Sequence, residues 1–143
     1  MITLAPIRVA HVDQTPAAAV DRATELLKKR FRIINVWRPF GSPVELFPLV
    51  LCDRSSVPRE QLVEVNVVRQ SFPGESYYPL ESKVYKWHFL NKQSPDEVLL
   101  IKMNSSDTNV KAHYCPHALF SQTDDTNAKD RESIEVRALV FTD

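Results

Sequence analysis

Phe31-Arg32-Ile33-Ile34-Asn35-Val36-Trp37-Arg38 is a run of aromatic and β-branched residues ended by Pro39. It reads as a strand, because such side chains fit a pleated, half-buried surface. Beyond it, Pro39, Gly41, Ser42 and Pro43 make a turn, and a second apolar run, Val44 to Cys52, is closed by Asp53. Before it, the sequence predicts a helix from about Pro16 to Arg30. Thr15 is its N-cap and Pro16 its first position, and Val20, Ala23 and Leu27 form a stripe. Lys28, Lys29 and Arg30 stand where the macrodipole favours cations.

Everything downstream reads as strands. A short helical turn starts at Pro58, after which Val63, Val65 and Val67 alternate with Glu64 and Asn66. A turn is expected at Pro73-Gly74. Tyr85, Trp87 and Phe89 alternate with Lys86 and His88 and are expected to pair antiparallel with Glu97 to Met103. A strand at Lys111 to Cys115 and a last strand at Arg131 to Phe141 follow, each after a polar loop. About eight short strands with regular turn signals and one helix predict a mainly β fold, a two-sheet jelly roll or double-stranded β-helix. Residues 1–143 would form a single domain, with the one short helix after its first strand.

Composition narrows the function. Lys plus Arg (18) equals Asp plus Glu (18), so no global field draws the chain to nucleic acid or an anionic membrane. No apolar run approaches the roughly 20 residues of a membrane span. Only Gly41 and Gly74 are glycines, which excludes both a P-loop and a Rossmann fingerprint. Two cysteines, Cys52 and Cys115, make no disulfide framework, and residues 1–10 lack a secretory layout; a reducing, cytoplasmic compartment is expected.

His11-Val12-Asp13 places an imidazole and a carboxylate on one side of a strand, since side chains at i and i+2 share a face. A third ligand from a distant strand would complete a two-histidine, one-carboxylate face with open positions, an arrangement suited to non-haem Fe(II). His117, in Cys115-Pro116-His117, is the candidate. By itself His-x-Asp is weak, arising by chance in about one such chain in four. Fourteen positions after His117 comes Arg131-Glu132-Ser133, whose guanidinium and hydroxyl share a face and could hold the far carboxylate of 2-oxoglutarate. Arg137 is a reserve anchor, although Glu135 could simply pair with it. Asn35 and Arg38, on opposite faces of their strand, are candidate substrate contacts.

The strings Arg8-Val9-Ala10-His11-Val12-Asp13-Gln14-Thr15-Pro16, Ile34-Asn35-Val36-Trp37-Arg38-Pro39, Pro48-Leu49-Val50-Leu51-Cys52-Asp53, Asp96-Glu97-Val98-Leu99-Leu100, Cys115-Pro116-His117-Ala118 and Arg131 to Phe141 occur in order. Together they resemble the fungal hydroxylase/desaturase family of the aspergillic acid pathway type, itself similar to the cephamycin methoxylation component and to gibberellin-desaturase-like proteins. The resemblance spans almost the whole chain. It implies an oxidoreductase of secondary metabolism, related to iron and 2-oxoglutarate oxygenases, that acts on a small-molecule metabolite. It also favours His117 over His113 as the distal ligand. Family members are longer, and the part expected to be missing precedes His11, where the first core strand and its packing helices would lie.

Loss of that strand would leave a sheet edge open to pairing, so a homodimer through the exposed edge is expected. A truncated, catalytically inactive jelly roll serving as a binding or dimerisation module is the competing reading. A thiol hydrolase built on Cys115, or zinc held by Cys115, His113 and His117, is less favoured: no glycine-lined oxyanion turn or second thiol pair accompanies them.

Overall fold

A computed structural model describes residues 29–69, 72–122 and 127–142. The predicted helix thus lies outside the described residues except at its carboxyl end. There Arg30 is already in a strand, paired with Thr142.

Eight strands follow in order: β1 (Arg30–Pro39), β2 (Leu49–Cys52), β3 (Leu62–Arg69), β4 (Phe72–Pro79), β5 (Trp87–Phe89), β6 (Leu99–Ser105), β7 (His117–Leu119) and β8 (Ser133–Thr142). They form two three-stranded antiparallel sheets, ordered β6-β1-β8 and β5-β2-β7, and a separate β3-β4 hairpin. The chain crosses between the two sheets after β1, after β5, after β6 and after β7, which is the jelly-roll route predicted from the strand count.

β1 is central because its odd-numbered side chains, Phe31, Ile33, Asn35 and Trp37, are all buried on one face. Phe31, Ile33 and Trp37 join Ile101 and Met103 from β6, Leu49 from β2 and Leu119 from β7 in one buried cluster between the sheets. Burying a large apolar side chain contributes about 1.5–3 kcal/mol, so this cluster is the main force holding sheet against sheet. The opposite face of the β6-β1-β8 sheet is different. Leu100, Ile134 and Val136 are exposed there.

Several local expectations are corrected. β5 and β6 do not pair; they sit in different sheets. Alternation identifies a strand but not its partner, and between them Lys92 takes a left-handed φ of 51° and the Gln93 carbonyl accepts the Val44 N–H at 3.0 Å, redirecting the chain. Pro73 and Gly74 are not a turn but part of β4, opposite Val68 and Val67. A proline is tolerated there because a two-stranded hairpin has only edges. The run from Val44 is interrupted by Phe47, at φ 52°, and Pro48, so β2 begins only at Leu49. Lys111 to Cys115 is loop, attached through the Cys115 N–H to the Lys102 carbonyl at 2.8 Å, and the strand opens later, at His117. Asp53 closes β2 and caps a 3-10 turn, Arg54–Ser56, by accepting the Ser55 N–H.

Candidate metal and co-substrate site

His117 opens β7 and is 4% exposed. It shares a face with Leu119, a member of the intersheet cluster, and lies opposite Leu51 of β2. The imidazole therefore belongs to the interior side of the β5-β2-β7 sheet. Its Nδ1 is 3.1 Å from the Cys115 carbonyl oxygen. A carbonyl only accepts, so Nδ1 carries the hydrogen; in the neutral ring the lone pair then lies on Nε2, the tautomer a metal ligand needs. The approach to β7 is fixed from behind: the Pro116 carbonyl accepts the Cys52 N–H at 2.8 Å. His11 and Asp13 lie outside the described residues.

Arg131 stands just before β8, half-buried, and reaches the same interior from the opposite sheet. Its guanidinium lies over the Trp37 ring, 5.3 Å from the centroid, and Nη1 donates to the Phe47 carbonyl at 2.7 Å. Phe47 holds a left-handed backbone that costs a non-glycine residue roughly 1–2 kcal/mol. Burial lowers the pKa of Arg131 and Glu135 raises it again, but an arginine stays charged throughout. One donor of five is committed to Phe47, and the planar fork suits a carboxylate. Ser133, the first residue of β8, is exposed and sits opposite Pro39.

Asn35, fully buried, lies opposite Arg137. Its amide oxygen accepts from Arg137 Nε at 2.8 Å and its amide nitrogen donates to Glu135 Oε1 at 2.7 Å. Both neighbours thus share one amide. Arg38 is exposed on the other face of β1, opposite Ile134, and is not brought to the interior with Asn35. Asn35 and Arg38 thus stand on opposite faces of β1, as the period of two along a strand requires.

Of the other histidines, His113 is in a loop with Nδ1 3.4 Å from the Ser105 carbonyl. His88 lies opposite Leu51, which lies opposite His117. The three positions form a row on one side of the sheet, with His88 exposed at its end. Only the strand register carries that signal.

Burial pushes the Cys115 thiol up to about 11, assisted by the neighbouring Cys52, and burial raises Cys52 as well. Both are neutral thiols at neutral pH, a poor starting point for nucleophilic attack. Among the described residues no helix is long and apolar enough to cross a membrane.

A family described as an oxidoreductase/YMDC permease-like domain matches residues 2–141. Hydroxylase/desaturase efuI of Hormonema carpetanum is 34% identical, over 97% of this chain and 53% of its own length. The chain belongs to the fungal hydroxylase/desaturase family. The Fe(II)/2-oxoglutarate-dependent dioxygenase nvfI of Aspergillus novofumigatus is 35% identical, over 95% of this chain and 52% of that protein. A solved structure, the iron and alpha-ketoglutarate-dependent endoperoxidase NvfI, superposes with a TM-score of 0.85 at 34% identity, covering 95% of this chain and 54% of that one. The chain spans about half the length of the curated relatives it matches. The fold of this hydroxylase/desaturase relative is thus the jelly roll of its iron-dependent neighbours.

Proposed function

We propose that this hydroxylase/desaturase family member is a non-haem Fe(II)- and 2-oxoglutarate-dependent oxidoreductase that hydroxylates or desaturates a small organic metabolite. The observation that carries the reading is His117: buried, on the interior side of β7, with its Nδ1 3.1 Å from the Cys115 carbonyl oxygen. His11 and Asp13 would supply the other two protein ligands. That donor set, two imidazoles and one carboxylate, fits Fe(II) and leaves positions open. Arg131, with Ser133 beside it, would hold the far carboxylate of 2-oxoglutarate.

When bound, iron would activate dioxygen, the oxidant, with 2-oxoglutarate giving up two electrons as it is converted to succinate and carbon dioxide and the metabolite giving up the other two. The chain's own residues bind and orient. The charged guanidinium would fix the co-substrate, and the packed apolar cluster that includes Trp37 and Leu119, with Leu51 against it, keeps water from this interior. Asp13→Ala is expected to abolish conversion of 2-oxoglutarate to succinate while circular dichroism stays unchanged. Succinate formation at the wild-type rate would remove Asp13 from the mechanism.

A homodimer is supported by a separate observation. β8 is hydrogen-bonded to β1 alone among the described residues, and most of its length is exposed. An antiparallel pairing of β8 with its copy, centred on Val136, sets Glu135 against Arg137 in both directions and continues the apolar outer face through Ile134 and Ala138. Centring on Arg137 would instead oppose two guanidinium groups, so charge selects the register. A cytoplasmic location is consistent with two unpaired thiols.

A further inference from the structure

The proposed role of Arg131 requires that its fork be held still before the co-substrate arrives, because an arginine carries several rotatable bonds whose freedom is lost on binding. Three observations meet at this side chain. Trp37 is almost wholly buried near the carboxyl end of β1, so its ring is fixed, and the guanidinium carbon lies 5.3 Å from that ring's centroid. The Phe47 carbonyl accepts from Nη1 at 2.7 Å. Phe47 presents that carbonyl from a left-handed backbone, in the very loop that carries the chain from β1 to β2. Strain of this kind persists only where the surroundings impose it.

We propose that Trp37 and the Phe47 carbonyl are a positioning pair that locks the Arg131 guanidinium for a dicarboxylate co-substrate. This inference rests on the reading of Arg131 as the co-substrate anchor. The ring supports one face of the guanidinium and the carbonyl fixes its rotation about the side-chain axis. The donors that remain stay directed as a fork. Neither Trp37 nor Phe47 touches the reacting atoms; both act through Arg131. The β1–β2 loop and the head of β8 thus form one device across the two sheets, which explains why Trp37 must be aromatic as well as apolar.

The test is 2-oxoglutarate affinity, measured anaerobically by calorimetry with Mn(II) as a redox-silent metal, in three arms. Arg131→Gln is expected to weaken 2-oxoglutarate at least a hundredfold. Trp37→Leu, which keeps an apolar side chain, is expected to weaken it about tenfold with unchanged Mn(II) affinity, while Trp37→Phe stays within about threefold. In the third arm, progressively fluorinated tryptophans replace the indole in a Trp87→Phe background. Fluorination withdraws electron density from the ring with little change of shape, so affinity is expected to fall stepwise even if Trp37→Leu folds poorly. Unchanged affinity in Arg131→Gln would overturn the anchor itself. Loss in Arg131→Gln together with a flat fluorination series would leave the anchor standing and overturn the positioning pair.

Discussion

β7 and β8 each carry part of the proposed site, and they are built on opposite terms. All three residues of β7 are buried, His117 included, whereas seven of the ten in β8 are exposed. β7 is short because its work is local: it places one imidazole, and the loop before it supplies the carbonyl that sets the tautomer. β8 is long because it must span β1 from Arg30 to Pro39, and its other edge has no partner among the described residues. The side proposed to hold the metal is thus held by packing. The side proposed to hold the co-substrate is held by a few directed contacts, to Trp37, Phe47 and Asn35.

That contrast can be broken in several ways. Ile33→Ala, in the centre of the cluster, is expected to cost about 2–5 kcal/mol in urea unfolding, whereas Val136→Ala on β8 should stay within about 0.5 kcal/mol. Equal losses would mean that β8 is packed after all. Asn35→Ala leaves Glu135 and Arg137 without their shared amide and should cost about 1–3 kcal/mol. No loss would show that the two β8 side chains need no help from β1.

The edge of β8 gives a sharper version of the same test. Sedimentation should find a dimer at micromolar concentration. Glu135→Arg or Arg137→Glu alone should shift it to monomer, and the double reversal should restore it, since opposite charges again meet across the twofold. A wild-type monomer at high concentration would end the dimer reading.

The smallest effect concerns pH. The Cys115 thiol titrates near 11 in the folded chain against an ordinary value of 9.0, so the folded state keeps a proton that the unfolded state releases. Its stabilising contribution is complete below pH 9 and is lost as the pH rises from about 9 to 11. Between pH 8 and 10 the loss should be about 1–2 kcal/mol, and Cys115→Ala should remove most of that slope. A slope unchanged in Cys115→Ala would assign the effect to other groups, such as Tyr77 and Tyr85, which burial also raises.

Much of this architecture was legible in the residues. The aromatic and β-branched run Phe31 to Arg38 marks a strand and puts Asn35 and Arg38 on opposite faces, because period two is a property of the strand itself; which face is inward follows only from the packing. Partnership was not legible: nothing local in Trp87 to Phe89 says that it joins β2 rather than β6, since that follows from how the intervening loop turns. Pro73-Gly74 read as a turn for the same reason, its chemistry being compatible with either a reversal or an edge strand. At the site, residue order together with the family resemblance brings forward His117, Arg131 and Ser133 as candidates. The stacking of Arg131 on Trp37, the Phe47 carbonyl and the His88 row lie across the fold, between residues far apart in sequence. Only three-dimensional pairing reveals them.

The most direct measurement is an anaerobic titration of the folded chain with ferrous iron and then 2-oxoglutarate, followed by visible absorption. A charge-transfer band that appears on addition of the co-substrate, and is missing in a folded His117→Ala variant, is the predicted result. A folded wild-type chain that gives no band at saturating iron and 2-oxoglutarate would contradict the account.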